Sequence, residues 1–598
     1  MTAALQTIWA ELIATTLADA GVTRCVVSPG SRSTPLVAAL AHEPRIELVT
    51  LIDERCAAFF ALGAARACGL PIALVCTSGT AAAHYLPALI EASLADVPLL
   101  ALTADRPPEL HGCGASQTID QVKLYGDYVR GAIDLGAPAD GELALRAVRR
   151  KLVQAITLAC GPRPGPVHVE VPLRKPLEPT APTSDAERSL ARLAGQLVGP
   201  VRASPPHCIA EPAAVAELAA AIAAEPHGVI VAGALPAAFA AHRDALLALA
   251  AITGYPLVAE AGSQLRFCPR PEGVVAVDHF DVLPPAALPL PRLVLQLGHE
   301  PVATAWPAWL ARLSAAGSAR WVLAGHAWHD ADSSARGVLL GEVGPTIAAL
   351  SDAVGALARE RHAAAASRAA AAWRVAETGA ATALARALDA HPRSEAALMR
   401  AAIAALPDGA ALQIGNSLPI RVVDQVCAGG GVARQVLTQR GAAGIDGLIA
   451  SAAGATWAGA PVLLVLGDVS FAHDLGGLVA ARCARAPLAI LVVDNRGGQI
   501  FAGLPVARAA PGAAFERHWI TAPELDPAAI ASALGLAATT AASPAGAAAA
   551  IAHALAAPGV TVIHAPVSAS GAHDVRRAAL DGYDVPSPLR AAHGGSHD

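Results

Sequence analysis

A chain of 598 residues that is 54% hydrophobic and 15% charged can bury several large cores and is not intrinsically disordered. Its 43 basic and 49 acidic residues give a net charge of −6, which shows no basic field of the kind that nucleic acid or an anionic membrane attracts. Ten cysteines without C-x-x-C spacing speak against a disulfide scaffold and a zinc ribbon, and the only lysines, Lys123, Lys151 and Lys175, lie in no Walker-type phosphate loop.

The predicted elements fall into three α/β blocks. The first begins with a helix over 6–20, whose Glu11 and Asp19 do not suit a signal peptide, so a cytoplasmic protein is expected. Strands are predicted at 24–27, 47–52, 72–76 and 99–103, with helices over 56–68 and 81–93, and a last strand at 165–172. The alternation implies a parallel sheet covered on both faces. A Pro-, Ser- and Thr-containing stretch from Leu173 to about Pro206 reads as a linker. The second block has strands at 228–232, 293–297 and 321–324, and the third at 411–414, 462–466 and 489–493, with alanine-rich helices over 363–388 and 547–556. The expected division is therefore 1–182, a linker at 183–206, 207–360 and 361–598. The longest uncharged run, 447–467, is long enough to span a bilayer, but Gly459-Ala460-Pro461 splits it into a helix and a strand, so no membrane insertion is expected.

In the third block one strand runs into Gly467-Asp468 and the next into Asp494-Asn495, with a helical stretch over 475–485 between them. Ligands of open α/β sheets bind beyond the carboxyl ends of strands, so Asp468 and Asn495 emerge side by side. A carboxylate, an amide oxygen and a backbone carbonyl near Gly497 make a hard-oxygen set suited to Mg²⁺. By spacing alone, the same residues equally serve to turn the chain.

Gly467-Asp468 followed by Asn495 resembles the diphosphate and magnesium motif of thiamine-diphosphate-dependent enzymes, which have three Rossmann-like α/β domains in the order pyrimidine-binding, central and diphosphate-binding. Val469 stands where that motif has a glycine and Asp494 where it has an asparagine. After the strand at 47–52 comes Asp53-Glu54-Arg55, and Glu54 matches the acid that shares a proton with the pyrimidine N1′. Taken by itself, that triplet also reads as a surface turn with a local ion pair. Further segments are SPGSRSTPL at 28–36, TSGTA at 77–81, GASQ at 114–117, GNSL at 415–418, RGAAGIDG at 440–447 and DNRGGQIF at 494–501. In their order and spacing they are similar to the MenD family, the 2-succinyl-5-enolpyruvyl-6-hydroxy-3-cyclohexene-1-carboxylate (SEPHCHC) synthases of menaquinone biosynthesis.

That resemblance implies a transferase that decarboxylates 2-oxoglutarate and adds the four-carbon acyl-anion equivalent to isochorismate in a 1,4-addition, with thiamine diphosphate and Mg²⁺ or Mn²⁺. It implies Glu54, Gln117 and Arg32 as catalytic residues, and Ser31, Arg32, Arg106, Arg421 and Arg440 as substrate-binding ones. Guanidinium forks suit substrates that bring carboxylates. Around the cofactor it implies Glu54, Thr77, Ser78, Gly79, Ser417 and Leu418, with Ile445 as the apolar wedge. Gly467, Asp468, Val469, Ser470, Asn495, Gly497, Gly498, Ile500 and Phe501 complete that set, and Asp468, Asn495 and Gly497 hold the metal. A homodimer or homotetramer with shared active sites is implied. His84 stands where an asparagine is common, and 298–306, with Thr304 and Ala305, lacks the family's basic residue. The alternative is a thiamine-diphosphate enzyme of acetohydroxyacid synthase type, which predicts an apolar substrate pocket. His326, His329, Asp330 and Asp332 cluster in sequence, but in a turn rather than on a helix face, and a metal is not expected there.

Overall fold

The computed structural model describes residues 3–201, 203–357 and 363–584. Among them, eighteen strands form three six-stranded sheets in which every pairing is parallel. The first sheet holds β1 (Arg24–Val27), β2 (Glu47–Thr50), β3 (Ile72–Cys76), β4 (Leu99–Asp105), β5 (Ala132–Asp134) and β6 (Pro166–Pro172), in the order β2-β1-β3-β4-β6-β5. The second holds β7 (Gly228–Ala232), β8 (Leu257–Ala259), β9 (Ala276–Val277), β10 (Leu293–Leu297), β11 (Ala319–Ala324) and β12 (Gly337–Leu340), in the order β12-β11-β10-β7-β8-β9. The third holds β13 (Ala411–Ile414), β14 (Val436–Thr438), β15 (Val462–Gly467), β16 (Leu488–Asp494), β17 (Ala537–Thr540) and β18 (Val560–Pro566), in the order β14-β13-β15-β16-β18-β17. The outer two sheets thus repeat one topology, and the middle one has the doubly wound order of dinucleotide-binding folds. The α/β reading of the sequence holds. Central strands such as β3 and β10 are buried at every residue, which is why they read as unbroken apolar runs.

The chain divides into two compact units. One takes Met1–His207 with Gln439–Gly459 and Asp474–Ala486, and the other takes the rest of the described chain from Cys208 onward. In the first unit, the helices Ala3–Asp19 and Glu142–Cys160 bury Trp9, Leu17 and Leu152 against the first sheet. On its other side the helix Glu54–Cys68 meets the helix Leu448–Ala455 almost backbone to backbone. A Cβ at Gly63 would stand 1.9 Å from the Ser451 carbonyl oxygen, and one at Gly454 would stand 1.9 Å from that of Phe60. Only residues without a side chain allow this approach, and it fixes the helix that begins at Glu54. The second unit is built on the other two sheets, with Trp309 packed edge-on against Phe280 at 5.2 Å and Trp373 at 6.0 Å.

Three local expectations need correction. The helix expected over 81–93 is two helices, Thr80–Ala83 and Leu86–Leu94, because Pro87 has no N–H to continue the first and sits in the opening turn of the second. The linker at 183–206 contains a helix, Asp185–Gln196, whose Ser184 and Glu187 form a reciprocal capping box. The helical stretch at 475–485 ends at Ala481. The uncharged run at 447–467 does break into a helix and a strand, and among the described residues no helix is long and apolar enough to cross a membrane.

Candidate active site

In the outer sheets the strand order switches sides between β1 and β3 and between β13 and β15, which is where an open parallel sheet leaves a ligand crevice. Most of the residues singled out by sequence leave the carboxyl ends of the first four strands of these two sheets.

In the first unit, the loop after β1 closes on the loop after β3. A Cβ at Gly30 would stand 2.3 Å from the Thr77 Cβ, so no side chain fits there. Arg32 donates its backbone N–H to the Thr77 hydroxyl at 3.2 Å and its Nη1 to the Leu173 carbonyl at 2.6 Å. The N–H of Arg32 is thereby already used, while Ser31 is exposed. Arg106, just past β4, donates Nη1 to the Ser78 hydroxyl and Nη2 to the Ser116 carbonyl at 2.9 Å. Burial first, and then the neighbouring charge of Arg106, hold the Arg32 guanidinium below the usual arginine range, with Asp105 opposing. Asp105 itself is buried at the end of β4. Burial and the nearby Glu170 push its carboxyl up to about 7, and His111 Nε2 lies 3.0 Å from its Oδ2. Two guanidiniums therefore converge beside Asp105, whose ionisation is held back by burial and by Glu170, an arrangement suited to a carboxylate ligand.

Glu54 opens its helix one residue after the N-cap Asp53, whose side chain accepts from the Cys56 N–H at 3.1 Å. Glu54 is half-buried, and no described residue donates to its carboxylate. The first turn favours a negative charge there. Gly79 donates its N–H to Gln121 at 2.8 Å, and Gln117 lies beside it on the loop after β4. The loop after β14 also belongs to this unit. Glu91, buried and paired with Arg66 at 2.8 Å, accepts from the Gly441 N–H at 3.1 Å and the Ala442 N–H at 2.6 Å. Arg440 and Ile445 are half-buried on that loop.

In the second unit, Asp468 follows β15 and Asn495 follows β16. The buried Asp468 carboxylate accepts from the Val469 N–H at 2.9 Å and the Gly497 N–H at 2.6 Å. Burial pushes it up to about 6 against those two donors, with Asp494 adding to the rise. The Gly497 carbonyl accepts from the Gln499 N–H at 2.8 Å, which leaves one lone pair. Asn495 is buried; its Nδ2 donates to Glu395 at 2.9 Å, and its Oδ1 has no partner among the described residues. Burial raises the Glu395 carboxyl to about 7. Asp494, in the motif's asparagine position, pairs with His564 at 3.0 Å, and that bond holds it below the usual carboxylate range. After β13, Ser417 sits at φ +73° and its carbonyl accepts from Arg421 Nη1 at 2.8 Å, and Leu418 is buried. Gly467, Ser470, Gly498, Ile500 and Phe501 flank the two loops.

An unpartnered buried amide oxygen, a carboxylate and a carbonyl fit a hard divalent cation. Among the described residues no three His, Cys, Asp or Glu side chains gather as a ligand set, so an oxygen set of mixed origin is the one available. Asp330 and Asp332 are instead paired with Arg320. His84 and Thr304 are exposed, and Ala305 is buried. Sequence reasoning passed over Glu395, Glu91 and Asp105. Asp105 adjoins Arg106, whose place in a motif is legible, but nothing in the order of residues signals that the three acids are buried.

Comparison with known proteins bears on these halves. The family described as thiamine pyrophosphate enzyme, N-terminal TPP binding domain, matches residues 9–124, and the corresponding C-terminal TPP binding domain matches 428–565. A 2-succinyl-5-enolpyruvyl-6-hydroxy-3-cyclohexene-1-carboxylate synthase of Sorangium cellulosum is 44% identical over 552 residues, 89% of this chain and 88% of that relative. The enzyme of the same name from Natronomonas pharaonis is 37% identical over 520 residues, 84% of this chain and 86% of the relative. The crystal structure of benzoylformate decarboxylase from Polynucleobacter necessarius superposes with a TM-score of 0.68 at 16% identity, covering 94% of this chain and 98% of that one, and so shows the same fold.

Proposed function

Because the chain belongs to the SEPHCHC synthase family of thiamine-diphosphate-dependent enzymes, we propose that it decarboxylates 2-oxoglutarate and adds the four-carbon remainder to isochorismate, giving SEPHCHC and CO₂ for menaquinone synthesis. Thiamine diphosphate, when bound, supplies the nucleophilic carbon for that chemistry. Glu54 holds and shares the proton at the pyrimidine N1′, a reading supported by a carboxylate to which no described residue donates. Asp468, Asn495 and Gly497 hold Mg²⁺ or Mn²⁺ and, with it, the diphosphate. Thr77, Ser78, Gly79, Ser417, Leu418 and Ile445 line the rest of the cofactor, together with Gly467, Val469, Ser470, Gly498, Ile500 and Phe501.

The observation that carries the choice of substrates is the pair Arg32 and Arg106, brought together beside the buried Asp105. Such a pair binds a dicarboxylic 2-oxo acid and would be wasted on pyruvate. Ser31, Arg421 and Arg440 serve the remaining carboxylates, and Gln117 faces the reacting groups. The functional unit is a dimer or tetramer in which the pyrimidine half comes from one subunit and the diphosphate half from its neighbour. The exposure of Ile52, 77% accessible two residues before Glu54, supports an interface beside the site. The domain division 1–182, 207–360 and 361–598 assigns a single sheet to each domain. Following isochorismate by its absorbance tests the reading. Its consumption should require 2-oxoglutarate, and consumption driven equally by pyruvate would contradict it.

A further inference from the structure

Glu395 lies outside every segment that marks the site. It opens the helix Glu395–Ala404, behind the N-cap Ser394, whose hydroxyl accepts from the Ala397 N–H at 3.1 Å. The turn before it is held on both sides. Ser394 donates its N–H to the His391 carbonyl at 3.1 Å, and Ser568 donates its N–H to the Arg393 carbonyl at 3.0 Å. A Cβ at Gly571 would stand 2.8 Å from the Ser394 Cα, so the neighbouring helix start is pressed against this turn. The Glu395 side chain, 1% exposed, thus projects from a fixed backbone, and its Oε2 accepts from Asn495 Nδ2 at 2.9 Å.

An asparagine amide has two ends of nearly equal shape and opposite function. Its oxygen is a ligand for a hard cation, whereas its NH₂ is a donor that a cation repels. Which end faces a metal is decided by what the other end bonds to. Here the NH₂ is taken by Glu395, and the Oδ1 is left buried and unpartnered among the described residues. We propose that Glu395 is a positioning residue that locks the Asn495 amide with its oxygen toward the divalent cation. The proposal rests on the reading of Asp468, Asn495 and Gly497 as the metal set. Turning the amide over would place the Asn495 oxygen against the Glu395 carboxyl group and the NH₂ against the metal, so the two residues specify one orientation together.

Mn²⁺ titration of the full chain in the presence of thiamine diphosphate, followed by the spin-resonance signal of free Mn²⁺, tests this without any turnover. Glu395→Met removes the acceptor and should weaken Mn²⁺ binding by about 10- to 100-fold, the usual share of an outer partner of a metal ligand. Glu395→Gln, whose amide oxygen can still accept from Asn495, should stay within about threefold of the parent on the same scale. The decisive comparison uses Asn495→Asp, whose two carboxylate oxygens are equivalent and need no orienting. In that background Glu395→Met should cause no loss of Mn²⁺ affinity, and a gain is expected where it relieves the repulsion between the two carboxyl groups. A loss of equal size in both backgrounds would mean that Glu395 acts only on packing and would overturn the proposal. Should Glu395→Met not fold, Glu395→Ala takes its place in the same cycle. Asp468→Ala separates the two levels: undiminished Mn²⁺ binding there would remove the metal set itself, whereas binding lost in Asp468→Ala but intact in Glu395→Met would remove only the positioning role.

Discussion

Gln117 and Ser78 hold each other reciprocally: the Gln117 side-chain amide donates to the Ser78 carbonyl at 3.0 Å, and the Ser78 hydroxyl donates to the Gln117 carbonyl at 3.3 Å. The clasp keeps Gln117 at φ +55° and brings its Cγ to 3.2 Å from where a Cβ on Gly79 would be. Gly79 is itself at φ +88°, ψ −144°, a conformation that glycine adopts freely and that strains a residue with a Cβ. Gly79→Ala should therefore cost about 1–3 kcal/mol of stability and displace Gln117. Thermal unfolding and steady-state kinetics should show both losses together, and a variant with unchanged stability and kcat/KM would show that the clasp is dispensable.

Glu54→Gln keeps the shape of the side chain and removes the shareable proton. Turnover should fall by about 10²- to 10⁴-fold while thiamine diphosphate still binds. Calorimetric cofactor binding beside the kinetics checks this, and wild-type turnover would remove the proton-sharing role.

Arg106→Met deletes a charge beside Arg32 and leaves the apolar stem. Loss of a hydrogen bond to a charged group, about 1.5–3 kcal/mol, predicts a fall of kcat/KM for 2-oxoglutarate of about 10- to 100-fold. The effect should fall mainly on KM, with little change for pyruvate. Equal losses for both acids would place Arg106 away from the distal carboxylate.

Asp105 gives a pH dependence with a definite sign. Its folded pKa, about 7, lies above its unfolded value, so between about pH 4 and 7 the folded chain holds the extra proton. Stability from this group is thus greatest at low pH and is lost as pH rises toward 7, by at most about 1.4 kcal/mol per pH unit. The groups facing it are Glu170, His111, Arg32 and Arg106. Denaturant unfolding at pH 5, 6, 7 and 8 should show the parent losing stability relative to Asp105→Asn up to pH 7 and levelling above it. Parallel profiles would show that Asp105 is ionised throughout.

The central strands of the outer sheets are legible because burial on both faces writes them as runs such as Ile72–Cys76. The edge strand Glu47–Thr50 is legible too, but two other edge strands are not. Ala132–Asp134 and Ala537–Thr540 are short and partly exposed, so neither a run nor an alternation marks them. The helix Asp185–Gln196 is legible in principle, since Ser184-Asp185-Ala186-Glu187 spells its capping box, but the surrounding proline and threonine obscure it. Of the site, the residues at strand ends can be named from motif order, whereas what each one touches cannot. Nothing in the sequence says that Glu91 is the acceptor for the Gly441 and Ala442 amides, or that Glu395 meets Asn495 across 100 residues.

The most direct test is the release of CO₂ from 2-oxoglutarate labelled in its 1-carboxylate, by purified protein with thiamine diphosphate and Mg²⁺, with and without isochorismate. Sustained release that needs isochorismate, matched by consumption of isochorismate, is the predicted result. Release from pyruvate but not from 2-oxoglutarate would contradict the assignment of Arg32 and Arg106 to a dicarboxylate and with it the proposed reaction.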